Sequence, residues 1–134
     1  MRVRPSWFVT AGLVAAAACG SGNNSSSSSN ASGPQVMISD FQFSPQALNI
    51  KAGTTVTWVN QGPSVHQTTS DSMVWGSGNL GAPSMGDPYG GGATQGASFQ
   101  FTFTTPGTYA YHCGNHPPSM AAYAGFTGTI VVSP

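Results

Sequence analysis

Apolar and polar residues alternate in short runs along the C-terminal three-quarters of the chain, and glycine or proline interrupts each run. Phe99, Phe101 and Phe103 alternate with Ser98, Gln100 and Thr102, the period-2 pattern of a strand with one buried face. Val36–Phe43 is rich in β-formers and stops at Ser44-Pro45, and Leu48 and Ile50 alternate with polar neighbours before a turn at Ala52-Gly53. Thr54–Val59 is β-branched and aromatic almost throughout. Thr105-Pro106-Gly107 turns the chain into Thr108–Cys113, and Thr127–Val132 is the last such run. No stretch carries a sustained helical stripe. About seven or eight short strands separated by these turns predict an all-β domain over 35–134, an antiparallel Greek-key β-sandwich. Between Gly76 and Gly96, which include Gly90-Gly91-Gly92, the alternation lapses, and a long loop, functional or mobile, is expected.

The first 34 residues differ in character. Arg2 and Arg4 precede an apolar run from Trp7 to Ala18 that ends in small residues, the design of a secretory signal peptide over 1–18. About twelve apolar residues are too few for a stable membrane span. Gly20 to Gly33, with Ser25 to Ser29 unbroken, has almost nothing to bury, so 19–34 is expected to be a flexible tether reaching about 20 Å. Ala16-Ala17-Ala18-Cys19 resembles a bacterial lipoprotein cleavage box. That resemblance implies a lipid anchor through Cys19 and an exported lipoprotein, periplasmic or at the cell surface. Ala16 stands where a leucine is usual, and plain cleavage after a small residue is the alternative.

Charge narrows the functions further. The chain has three Lys and Arg and three Asp and Glu. Without the two arginines of the signal, Lys51 stands against Asp40, Asp71 and Asp87, a net charge of −2. No basic cluster exists to bind phosphates, which excludes nucleic acid as a partner. Of the two cysteines, Cys19 lies in the leader, so the domain has no intramolecular disulfide.

The chemistry concentrates in His66 and in Cys113-Gly114-Asn115-His116-Pro117-Pro118-Ser119-Met120. Two imidazoles and a thiolate near one plane, with a long, weak axial thioether, form the blue-copper electron-transfer arrangement. The thiolate donates to both oxidation states of copper, and the weak axial sulfur leaves a geometry between those the two ions prefer. Little then has to move when an electron arrives. Cys113 ends a strand, and two residues separate it from His116, a gap that lets one tight loop turn both side chains onto one ion. Met120 lies three residues further on, and His66 comes from a distant segment after Gly62-Pro63. Tyr109, Tyr111 and Cys113 share a strand face, inward if the tyrosines are core. Taken singly, each has an ordinary alternative: a buried small hydrophobe for Cys113, a surface or core histidine, a gap-filling methionine.

These segments resemble the cupredoxin family, the small plastocyanin- and amicyanin-like type 1 copper proteins. The likeness runs through Asp40-Phe41-Gln42-Phe43-Ser44-Pro45, Lys51 to Asn60, His66, Ser98 to Phe103, Pro106 to Cys113 and Gly128 to Val132. It implies a rigid sandwich that shuttles single electrons without being an enzyme, one copper per chain, and His66, Cys113, His116 and Met120 as ligands. In close relatives a glycine and the last strand follow the methionine almost at once. Here residues 121–126 intervene, and Met73 and Met85 are alternative axial donors. The family often pairs side chains after the first histidine and the cysteine; Gln67 is available, but Gly114 offers only backbone.

His112, on the opposite face from Cys113, is expected at the surface. His116 is expected within an apolar collar of Pro117, Pro118, Ala121, Ala122, Tyr123 and Phe126, where a monomer would meet transient protein redox partners. Two other functions compete: copper storage or delivery, and a metal-free sandwich for adhesion or scaffolding.

Overall fold

The computed structural model describes residues 33–134, so the expected signal peptide, Cys19 and all but the last two tether residues lie outside the described residues. Eight strands form: β1 (Gln35–Ser39), β2 (Gln42–Ser44), β3 (Ala47–Lys51), β4 (Thr54–Asn60), β5 (Thr69–Ser70), β6 (Ser98–Phe103), β7 (Gly107–His112) and β8 (Thr127–Ser133). A 3-10 turn spans Ala121–Tyr123. The strands build two four-stranded sheets, ordered β2-β1-β4-β6 and β3-β8-β7-β5.

This is the all-β sandwich expected, but its two sheets are mixed rather than antiparallel throughout. β1–β4 and β3–β8 pair in parallel, and the other pairings are antiparallel. Alternation along a strand fixes the buried face and carries no information about its neighbour's direction. The chain leaves β1 and β2 for β3 in the opposite sheet, then returns as β4 alongside β1.

The run from Val36 to Phe43 is a hairpin rather than one strand. Ser39 pairs with Gln42, leaving Asp40 and Phe41 as a two-residue loop. Phe41 takes a φ of 64°, a left-handed conformation that costs a non-glycine residue about 1 kcal/mol. That backbone turns Asp40 and Phe41 toward the end of the sandwich where the chemistry lies.

Trp58 centres the core, fully buried, with Trp75 5.5 Å away and Tyr111 edge-on at 5.7 Å between ring centroids. Tyr111 and Cys113 are buried and Tyr109 is half-buried, as strand parity requires. Gly128 lies opposite Tyr111 in the β7–β8 register, and a Cβ there would collide with the tyrosine ring, so only glycine fits. The 76–96 segment is anchored at its start. Trp75 and Leu80 are core residues, and Leu80 forms a backbone bridge with His66.

Candidate metal centre

The His66 segment is held by amides. Asn60, at the end of β4, is fully buried, and its Nδ2 donates to Ser64 O at 2.8 Å and Leu80 O at 2.9 Å. Its Oδ1 accepts from Gly62 N at 3.0 Å. One side chain therefore folds the 60–66 loop and ties it to the next segment. His66 N and Leu80 N each donate to the other residue's carbonyl, at 3.2 and 2.8 Å. His66 itself is completely buried.

Cys113 follows β7 directly, and His116 N donates to Cys113 O at 3.2 Å, closing the tight turn that the two-residue gap allows. Next, Met120 N donates to Pro117 O at 3.0 Å and Tyr123 N donates to Met120 O at 2.8 Å. Successive turns thus carry the loop from Cys113 to β8.

These two segments meet. Cys113 Sγ lies 3.9 Å from His66 Nδ1 and 3.6 Å from His116 Nδ1, and the three candidate ligand atoms are all within 4.8 Å of one another. A trigonal ion with bonds of about 2.3 Å to sulfur and about 2.0 Å to nitrogen would set sulfur and nitrogen about 3.7 Å apart. The observed separations bracket that value, so the donor set fits a metal ion. Cys113 is a free thiol, completely buried, and its Sγ accepts from Gln67 N at 3.3 Å. Protonation states agree with this use. His66 Nε2 lies 2.9 Å from Asp40 Oδ1, an acceptor when ionised, so Nε2 carries the hydrogen and Nδ1 presents a lone pair toward the sulfur. The His66 hydrogen bond holds the Asp40 carboxyl below the ordinary carboxylate value; partial desolvation opposes this, and a bond from Ser64 Oγ at 3.1 Å assists.

Met120 sits in the expected loop, where it precedes the 3-10 turn with 54% of the residue exposed. Met73 and Met85 are 90% and 94% exposed, positions unsuited to a donor for a buried cluster. His112 faces away from Cys113, with Nδ1 bonded to Asp71 Oδ1 at 2.6 Å.

The collar around His116 differs in membership from the sequence expectation. Phe126 is fully buried, edge-on to His66 at 5.1 Å, and belongs to the core. Phe41 takes its place at the rim, 42% exposed and edge-on to His116 at 5.2 Å, with Tyr123 on the same imidazole at 4.9 Å. Three further residues support the site: Asp40 and Asn60, which lie in segments that carry the family likeness but gave no sign of these roles, and Asn79, which had no signal in the sequence beyond being polar. Asn79 Oδ1 accepts from Gln67 Nε2 at 2.8 Å and from Asn115 Nδ2 at 3.2 Å, bridging the two ligand segments where Gly114 offers no side chain.

Comparison with known proteins agrees with this geometry. The family described as copper binding proteins, plastocyanin/azurin family, matches residues 32–133. Amicyanin of Paracoccus denitrificans is 33% identical over 82 residues, covering 61% of this chain and 56% of that protein. Plastocyanin of Scenedesmus fuscus is 40% identical over 91 residues, covering 67% of this chain and 85% of that protein. The chain thus spans little more than half the length of the amicyanin it matches. Among solved structures, a purple cupredoxin from Nitrosopumilus maritimus shares the fold, with a TM-score of 0.54 at 24% identity, over 75% of this chain and 99% of that one. His66, Cys113 and His116 are the one group of three or more His, Cys or acidic side chains among the described residues that could hold an ion. With copper as its cofactor, one ion per chain, the protein belongs to the plastocyanin/azurin family of copper-binding proteins.

Proposed function

We propose that the protein is a single-electron carrier, with His66, Cys113 and His116 holding one copper ion and Met120 as the weak axial donor. The observation that carries this reading is the buried free thiol of Cys113, placed 3.6 and 3.9 Å from two imidazole nitrogens. When bound, copper supplies a one-electron couple, so one electron enters and one leaves without any bond being made or broken in a substrate.

The chain's own residues supply the rest. Asn60 and Leu80 fix the His66 backbone, so the ligand positions are set before any ion arrives. Gln67 N–H points a dipole at the Cys113 sulfur and fixes its position. Burial of Cys113 and His66 excludes water from the donor set. His116 is only half-buried, the more exposed of the two imidazoles, hence the point where electrons pass.

Around it, Phe41, Val65 and Met120 expose apolar surface, at 42%, 43% and 54%. A transient redox protein docking on this patch would come close to His116. With a net charge of −2 outside the leader, steering is weak, and association is expected to change little with salt. We place the carrier outside the cytoplasm as a monomer, tethered through a lipidated Cys19; the secretory design of 1–18 and the polar, uncharged tether support that placement.

Adding Cu(II) to the purified protein tests the reading. One equivalent should bind with intense blue, purple or green colour, abolished in Cys113→Ser and retained with an altered reduction potential in Met120→Leu. Pale or absent colour in the parent protein would refute electron transfer and favour copper delivery or a metal-free module.

A further inference from the structure

The carboxylate of Asp40 sits behind a ligand. Its Oδ1 accepts from His66 Nε2 at 2.9 Å, and its Oδ2 accepts from Ser64 Oγ at 3.1 Å, so both oxygens are committed. The contact is built by several independent features. The Phe41 left-handed turn aims the hairpin loop at this end of the sandwich. Gln61 N and Gly62 N donate to Ile38 O at 2.8 and 3.1 Å, drawing the 60–66 loop onto β1. Gly62 is required by close approach: a Cβ there would stand 3.0 Å from Asp40 N and 3.2 Å from His66 Nε2. Among the described residues, Asp40 pairs with no Lys or Arg; its charged-group contact is with the His66 imidazole.

We propose that Asp40 is a positioning residue for the copper centre: it fixes the His66 ring with Nδ1 toward Cys113, and its negative charge biases the centre toward the oxidised ion. This deepens the function proposed above and rests on it. A metal-bound histidine that passes its other N–H to a carboxylate gains basicity and a fixed tautomer. The sign of the bias follows from charge alone. Of the two copper states the oxidised one is the more positive, so a carboxylate one ring away stabilises it more and lowers the potential. One-third of the Asp40 side chain is exposed, which screens the effect without removing it. A mere loop staple would affect stability and leave the potential alone.

The test uses the full-length protein with Asp40→Asn, Asp40→Ala and Asp40→Glu. In the metal-free parent, the His66 Nε2–H should give a protected, downfield proton signal in NMR, and it should vanish into exchange with water in Asp40→Ala. In the copper-loaded protein, Asp40→Asn keeps an acceptor but loses the charge. It should shift the balance toward the reduced ion by about tenfold, a rise of about 59 mV for one electron. Asp40→Glu should move the potential back toward the parent. Persistence of the protected proton in Asp40→Ala overturns the positioning role, and an unchanged potential in Asp40→Asn overturns the charge bias. Asp40→Asn is nearly isosteric and carries the test if Asp40→Ala does not fold. Should the parent take up no copper, the proposed function fails while the NMR measurement still decides the positioning.

Discussion

Tyr111 offers a test of the core that runs against intuition. Its side chain is 1% exposed near the end of β7, yet its hydroxyl has no hydrogen-bond partner, and neither does the nearby Trp58 Nε1. Desolvation pushes the phenol up to about 12 from 10.0, opposed by the nearby Trp58 indole N–H, whose approach falls short of hydrogen-bonding geometry. A buried hydroxyl left unsatisfied costs about 1–3 kcal/mol, so Tyr111→Phe should stabilise the fold by about 1 kcal/mol, whereas most core substitutions destabilise. The pH dependence supplies a second signature. Because the folded-state value is raised, the contribution is fully present below pH 10 and is lost as pH rises toward 12. Unfolded tyrosine gives up its proton first, so the parent loses about 1.4 kcal/mol by pH 11 and roughly 3 kcal/mol beyond pH 12. Tyr111→Phe has no such loss. Urea unfolding of the metal-free protein, followed by tryptophan fluorescence at pH 8, 10 and 11, should show the gap between variant and parent widening by about 1.4 kcal/mol. Destabilisation by 1 kcal/mol or more at pH 8, with a constant gap, would refute the reasoning and mean that the hydroxyl is satisfied in solution.

Two further substitutions separate the frame of the centre from its fine adjustment. Asn79→Ala removes the bridge between Gln67 and Asn115, and copper transfer to a chelator should speed up by about tenfold while unfolding free energy changes by about 1 kcal/mol or less. Phe126→Ala empties a fully buried position 4.7 Å from the Phe43 ring and 5.1 Å from His66, and urea unfolding should register a loss of about 3–5 kcal/mol.

What could be read in the chain follows from the range of each interaction. Strands β6, β7 and β8 were legible because a period of two is a local property, visible wherever one face is buried; β4, buried at three successive positions, was legible from its β-branched and aromatic content instead. β5, two residues long, is too short to show any period. The break at Asp40-Phe41 was hidden because phenylalanine is a strand former, and nothing local signals that it will adopt a φ of 64°. Strand parity placed Cys113 inward and His112 outward, and His112 indeed turns to Asp71 on the other face.

The donor set was legible for a different reason from its supports. A thiol and an imidazole with two residues between them are chemically rare and covalently close, so their meeting needs only a turn. Asp40 and Asn79 act across chain separations of 26 and 12 residues, on His66 and Gln67, and polar residues at such distances carry no pattern.

Residues 121–126 show how the two kinds of information combine. The extension was visible as an interruption before the last strand, but its use depends on tertiary geometry. Its 3-10 turn lays Tyr123 against both His116, at 4.9 Å, and Phe41, at 4.7 Å, then drops Phe126 into the core. The more exposed imidazole is therefore flanked by one ring from the first hairpin and one from the segment before β8. Without the extra residues Tyr123 would be absent, and His116 would keep Phe41 on one side only. The apolar rim through which we propose electrons pass is thus a joint product of the hairpin's strained turn and the lengthened ligand loop, and substitution at either site should alter partner docking without dismantling the donor set.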